Sequence, residues 1–349
     1  MSQAPSPTNS DSPSSILSGG SQTLSMPTGT PTGITLPHEA LFPQEASTGA
    51  AMMTATPASS ATALSTSASS LGASPSTVSP PTPTPTAAQD LTAPPATAIP
   101  VAPNRSVFVG NSYSGRAITA RQFGHGPVHI ILVGGIHGGY EWNTVLLAYE
   151  AIDFFSTHPS AIPSENTLTI IPNANPDGLF AVTNKEGRFN EADLLPDTVP
   201  GRFNGRGVDL NRNWDCQWQE EARWQDRSVS GGSYPFSEPE SRALRDFFLA
   251  NDPALVLFWH SAANGVFAAG CPDIFQPSYE QAEVYGRAAG YPTYERFDAY
   301  SITGGAAGWL ALQGIPSISV ELKTHEEVEW EQNLAGIEAL LATNHQPSP

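Results

Sequence analysis

The sequence predicts an α/β fold: a mixed, largely parallel twisted sheet between helices, preceded by a disordered tail. Short β-branched apolar runs alternate with segments of helical periodicity. Histidines and acids sit at the ends of those runs, where open α/β sheets carry their chemistry. A third observation fixes the boundary: all 15 Lys and Arg lie after residue 104, while 17 of the 33 Pro lie before it.

Residues 1–104 are runs of Ser, Thr, Pro and Ala with one aromatic, Phe42. So little apolar surface does not offset the entropy of ordering a backbone, so a disordered tail or linker is expected there. Residues 105–349 are expected to form one catalytic-sized domain. The first run, residues 128–133, reads as a buried strand ending in Gly134-Gly135. A helix is expected over residues 141–155, with Val145, Leu146, Ala148, Tyr149, Ile152 and Phe155 at helical spacing. Residues 168–171 form a second strand. Residues 177–232 lose periodicity, and a stretch that long inside a domain is usually functional. A helix over residues 238–249 follows, with Ser237 as its expected N-cap. Residues 254–259 and 316–322 are the third and fourth strands, and residues 327–341 a last helix striped by Leu334, Ile337, Leu340 and Leu341.

Charge and length exclude several roles. The domain holds 29 acidic against 15 basic side chains, a net charge of −14, which repels phosphate backbones and argues against nucleic acid as a partner. No apolar run approaches the roughly 20 residues of a membrane span. Two Cys are too few for a disulfide scaffold. No signal peptide can be read at Met1 to Pro5, yet the Ser/Thr/Pro tract is typical of envelope or secreted linkers, so an extracellular or cell-envelope location is expected.

Three candidate metal ligands stand at strand ends: His137 in Gly134-Gly135-Ile136-His137, Glu141 four residues on, and His260 after Phe258-Trp259. Two imidazoles and one carboxylate, with a position left open, make a hydrolytic zinc site; magnesium or calcium would draw more carboxylates. Further motifs follow in order: Asn175-Pro176-Asp177-Gly178, Val208-Asp209-Leu210-Asn211-Arg212-Asn213-Trp214, Phe236-Ser237-Glu238-Pro239-Glu240, Tyr300-Ser301-Ile302-Thr303-Gly304-Gly305, and Ser319-Val320-Glu321-Leu322.

In this order the motifs resemble the zinc carboxypeptidases of the carboxypeptidase A/B type, as a short bacterial-type member, over residues 105–341. The resemblance implies one zinc per chain on His137, Glu141 and His260. It also implies Glu321 as the general base and acid acting on the attacking water, and Asn211 with Arg212 as the clamp on the substrate's C-terminal carboxylate. Tyr300 matches the mobile tyrosine that closes over substrate, and Arg202 the arginine that stabilises the oxyanion. Arg188, in a second copy of Gly-Arg-Phe-Asn, and Arg206 are rivals for that last role. Ala307 matches the base of the specificity pocket; with no acid there, a large apolar C-terminal side chain suits the pocket better than a basic one. Three residues separate His137 from Glu141 where the family has two, and a Gly-rich bulge before the helix is expected to absorb the extra one. Asp177 is expected to orient a ligand histidine from behind. Cys216 and Cys271 either form a disulfide pinning two long loops, if the protein is exported, or stand as buried thiols. His325-Glu326-Glu327 lacks the second His of a zinc helix and is set aside. The implied activity is zinc-dependent hydrolysis of C-terminal peptide bonds by a monomer. The alternatives are an amidase cleaving γ-glutamyl-diaminopimelate links in cell-wall peptides and a non-catalytic binding module on the same fold.

Overall fold

The computed structural model describes residues 104–343. The tail expected over residues 1–104 therefore lies, save for Asn104, outside the described residues. The described residues form ten strands and six α-helices: β1 (Asn104–Asn111), β2 (Ala117–Gly124), β3 (Val128–Val133), α1 (Trp142–Thr157), β4 (Asn166–Ile171), α2 (Pro176–Thr183), β5 (Glu221–Trp224), β6 (Arg227–Ser230), α3 (Pro239–Asn251), β7 (Leu255–Ser261), β8 (Gly265–Ala268), α4 (Gln276–Ala289), β9 (Thr293–Tyr294), α5 (Ala306–Leu312), β10 (Ser317–Leu322) and α6 (Trp330–Leu341).

Eight strands form one sheet in the order β1-β2-β4-β3-β7-β10-β8-β9, and β5 and β6 form a separate hairpin. The centre is parallel, with β3 beside both β4 and β7, and β7 beside β10. The flanks at β1, β2 and β8 pair antiparallel. The mixed, largely parallel sheet expected from sequence is the sheet observed.

Alternation along the strands divides the core in two. Ile130, Leu132, Leu255, Leu257, Trp259, Ile318, Val320 and Leu322 pack with α1, α4 and α6. Ile131, Val133, Val256 and Phe258 pack with Leu244 and Phe248 of α3 and with Trp309 and Leu310 of α5. His260 and Glu321 have the parity of this second face, and the parallel register sets them side by side. Two residues on different strands thus reach one point because side chains alternate with period two.

The structure shifts the bounds of several expected elements. β7 runs two residues past Trp259, so His260 lies inside the strand and not beyond it. The helix expected from residue 327 starts at Trp330. The stretch expected to be irregular holds α2, three 3₁₀ turns and the β5–β6 hairpin. Asn175 caps α2 through a bond from Gly178 N, with Pro176 in the first turn, so the Asn-Pro-Asp-Gly motif is a helix start. Ser237 does not cap α3. That position is Glu238, and Ser237 Oγ donates instead to Glu238 Oε1.

Cys216 and Cys271 are joined in a disulfide across 55 positions, with Cα atoms 6.0 Å apart. Closing a loop of that length restricts the unfolded chain. A Cys216→Ser/Cys271→Ser variant is expected to lose about 2–4 kcal/mol of stability. Urea unfolding checks this, and an unchanged midpoint would overturn it. Among the described residues no helix is long and apolar enough to cross a membrane.

Candidate active site

The turn between β3 and α1 sets the first two ligands. Gly138 adopts φ +44°, and a Cβ there would stand 2.6 Å from Gly201 O; one at Gly139 would strike Val182. Only glycine fits both positions. The turn closes through Gly138 N to Gly135 O and Tyr140 N to His137 O. It leaves Glu141 just before the helix with non-helical backbone, so the extra residue is absorbed where the sequence placed it.

Glu141 then faces both imidazoles: Oε1 lies 2.7 Å from His137 Nδ1 and Oε2 3.0 Å from His260 Nδ1. The three residues are buried, and their ligand atoms lie within 4.8 Å of one another. His137 Nε2 makes no aligned hydrogen bond; its nearest acid is Asp209 Oδ1 at 3.3 Å. With the ring proton on the Asp209 side, the His137 Nδ1 lone pair and the Glu141 carboxylate face one point and together suit a bound cation. Nitrogen, nitrogen and oxygen donors converging in this way fit a zinc ion.

The surrounding charges keep the carboxylates ready for that duty. Burial alone would raise the Glu141 pKa, but the facing imidazoles, His137 foremost, hold it well below the usual range. His260 is raised against its burial, by Glu141 first. Asp209, fully buried, is held well below its ordinary value by Arg202, His137 and Arg212. Arg202 Nε and Nη2 lie 2.9 and 2.8 Å from Asp209 Oδ2, and Nη1 is 3.9 Å from Glu141 Oε1. Its guanidinium packs 4.4 Å over the Trp224 ring, so the β5–β6 hairpin roofs it.

Glu321 differs from the other acids. Burial pushes its pKa up to about 7, with Glu141 adding to the rise and His260, the Ala263 N–H and Arg202 opposing it. A carboxyl group so placed exchanges its proton near neutrality.

Arg212 and Asn211 occupy a 3₁₀ turn (Leu210–Arg212) capped by Asp209, whose side chain accepts from Asn211 N. Arg212 is buried; its Nε donates to Arg223 O on the hairpin and its Nη1 to Asn211 O. Tyr300 stands near the same guanidinium, whose charge opposes the rise that burial gives its hydroxyl. Asn211 Oδ1 accepts from Ala306 N, which ties the turn to the start of α5. Half-buried Ala307 lies one residue further along α5, beside Gly308, where a Cβ would meet Cys216 Sγ at 2.9 Å. Gly304 (φ +68°) packs onto the Arg212 backbone, and Trp214 N and Cys216 O bond to its two sides.

The structure therefore brings His137, Glu141, His260, Glu321, Arg202, Arg212 and Tyr300 together, with Asn211 and Ala307 along one side. It does not bring in the rival arginines. Arg188 is exposed and paired with Asp153, and Arg206 stacks over Tyr113 with Glu238 3.8 Å away. Asp177 is corrected. It accepts from Ser112 Oγ, Ser114 N and Arg116 Nη1, which locks the β1–β2 turn, and Asp209 stands beside the ligand histidine instead. Two further supports escaped the sequence reading. Asn213 donates to Gly231 O, Tyr234 O and Ser237 Oγ and accepts from Glu238 N, fixing the chain just past Arg212. Tyr140 packs against Trp224 and His325 in the wall of the site, and burial pushes its hydroxyl up to about 12.

Residues 102–330 match the family model described as zinc carboxypeptidase. Carboxypeptidase B of Astacus astacus is 29% identical over 165 residues, covering 44% of this chain and 52% of that protein. Gamma-D-glutamyl-L-diamino acid endopeptidase 1 of Lysinibacillus sphaericus is 24% identical over 219 residues, covering 55% and 54%. The chain thus spans about half the length of the curated relatives it matches. The carboxypeptidase A structure from Helicoverpa armigera superposes with a TM-score of 0.55 at 21% identity, covering 70% of each chain, a likeness of fold.

Proposed function

The chain belongs to the zinc carboxypeptidase family, and on that premise we propose that its residues 105–349 form a metallocarboxypeptidase domain hydrolysing C-terminal peptide bonds. The observation that carries this reading is the convergence of His137, Glu141 and His260 within 4.8 Å, with Glu321 beside His260 across the parallel register. Those three residues hold one zinc per chain. When bound, zinc supplies a Lewis acid that polarises the scissile carbonyl and acidifies water.

The remaining roles belong to the chain. Arg212 takes the substrate's terminal carboxylate, its planar fork suited to bidentate contact, and Asn211 adds a donor beside it. Tyr300 closes over that end of the substrate. Glu321 takes a proton from the attacking water and passes it to the leaving amine, for which its pKa near 7 is well matched. Arg202, kept cationic by Asp209 and Glu141, faces the oxyanion. The small Ala307 floors a pocket for a large apolar side chain.

The disulfide supports an extracellular or cell-envelope location, because cytosolic thiols are kept reduced. The absence of an acid at Ala307 disfavours a basic C-terminal residue.

A second reading keeps the same site and changes the substrate. The relative named as an endopeptidase for γ-D-glutamyl-L-diamino acid links is matched over 55% of this chain, which favours a cell-wall peptide amidase. Zinc-loaded protein is therefore to be assayed on a hippuryl-type dipeptide and on a muropeptide side by side. Release of the C-terminal apolar residue, abolished by a chelator and restored by zinc, is expected. Turnover of the muropeptide alone would replace the first reading by the second, and turnover of neither would leave only the binding-module reading.

A further inference from the structure

Tyr300 sits on the loop between β9 and α5, a segment with little backbone structure of its own. Among the described residues, residues 296–303 make no backbone–backbone hydrogen bond. Of residues 295–302, only Phe297 and Tyr300 are turned inward, and the rest are exposed. A segment so poor in backbone bonds takes its conformation from the packing of its inward side chains. The position of Tyr300 is therefore a question about rings.

Phe297 links that tyrosine to the sheet. The two rings meet edge-on, with centroids 4.9 Å apart and planes at 73°. Phe297 also meets Phe267 edge-on at 5.4 Å, and Phe267 stacks on Tyr294 at 5.0 Å. Phe267 is buried on β8 and pairs with Ser319 of β10, two residues before Glu321. Side chains alternate with period two, so Phe267 stands on the sheet face that carries Glu321. A row of rings thus runs from the sheet beside the site out to Tyr300. Tyr300 itself packs against the cluster of Ala222, Trp224 and Val229 on the β5–β6 hairpin. The same hairpin supplies the Arg223 carbonyl that Arg212 Nε grips and the Trp224 ring on which Arg202 lies.

We propose that Phe297 is a positioning residue for Tyr300: its ring holds the tyrosine against the hairpin, beside the carboxylate clamp, so that the closing position is set by the chain's own packing. The proposal rests on the carboxypeptidase reading and adds to it the residue that presets the closure. An edge-on aromatic pair shifts the balance between a seated and a released tyrosine by about two- to tenfold. The seated fraction scales the apparent affinity for substrate directly. Tyr300 closes over the clamped end of the substrate and not over the attacked bond, so the effect falls on KM and spares kcat.

The test is a double-mutant cycle with zinc-loaded enzyme and benzoyl-glycyl-phenylalanine. Phe297→Ala is expected to raise KM about two- to tenfold and to leave kcat unchanged. In a Tyr300→Ala background the same substitution is expected to add nothing, because the ring it positions is gone. An unchanged KM in the single variant overturns the proposal alone. So does an equal rise in both backgrounds, which would make Phe297 a wall of the substrate pocket. Wild type that releases no phenylalanine overturns the carboxypeptidase reading, and the proposal's closing role with it. A second readout needs neither a variant nor turnover: nuclear Overhauser spectra of substrate-free wild type with ring-labelled Phe and Tyr. Cross-peaks between the Phe297 and Tyr300 rings are expected, and their absence rejects the proposal.

Discussion

Replacing Glu321 by glutamine is expected to leave zinc binding intact and to lower kcat by roughly 10²–10⁴-fold, the range attached to a positioned general base. The amide keeps the shape of the side chain, and the three ligands are untouched. What it cannot do is take a proton. Metal analysis and kcat on the same preparation separate the two outcomes, and a variant that keeps wild-type turnover would remove Glu321 from the mechanism. The pH profile gives a second measure. Burial raises the Glu321 pKa to about 7, so the ionised, proton-accepting fraction falls as pH drops through that value. A divalent cation nearby favours the ionised form and moves the midpoint down. The acid limb of kcat/KM is thus expected at or below about pH 7 with unit slope, and it is expected to vanish from the residual activity of Glu321→Gln.

Arg202→Lys is expected to cost about 10²–10³-fold in kcat with a much smaller change in KM, as for loss of one oxyanion donor. Lysine preserves the charge beside Asp209 but not the fork that grips Asp209 Oδ2 through Nε and Nη2. Arg202→Ala answers a different question. It strands the fully buried Asp209 carboxylate, and removing one partner of a buried pair costs about 3–5 kcal/mol. Thermal unfolding should register that loss in the alanine variant and far less of it in the lysine variant. A lysine variant with normal kcat would transfer the oxyanion role away from Arg202.

The central strands and most of the site were legible because burial on two faces writes itself as continuous apolar runs, and because the ligands stand where those runs end. The flanks were not. β2 interleaves Ile118 and Ala120 with Thr119 and Arg121, a weak pattern that its antiparallel neighbours complete. α4 buries Ser278, Ala282, Gly286 and Ala289 around a single large residue, Tyr285, and small side chains leave little periodicity to detect. Asp209 lay in plain view within the Val208–Trp214 segment, yet Asp177 stood in an equally distinctive motif. Only tertiary proximity tells them apart: Arg116 and two serines claim one, while His137 and Arg202 claim the other. His325 was set aside with its incomplete zinc-helix motif, and its bond to Ser261, 64 positions away, is visible only in the fold.

The cystine under α5 carries a practical consequence for anyone preparing this molecule. It braces the backbone beneath Gly308 at the edge of the layer that holds Trp214, Trp309 and Leu310, while the layer on the other face of the central strands is built without it. Material produced in a reducing host would keep its circular-dichroism signature and its metal content while side-chain selectivity drifts between batches. Free-thiol titration therefore belongs beside every specificity profile recorded for it.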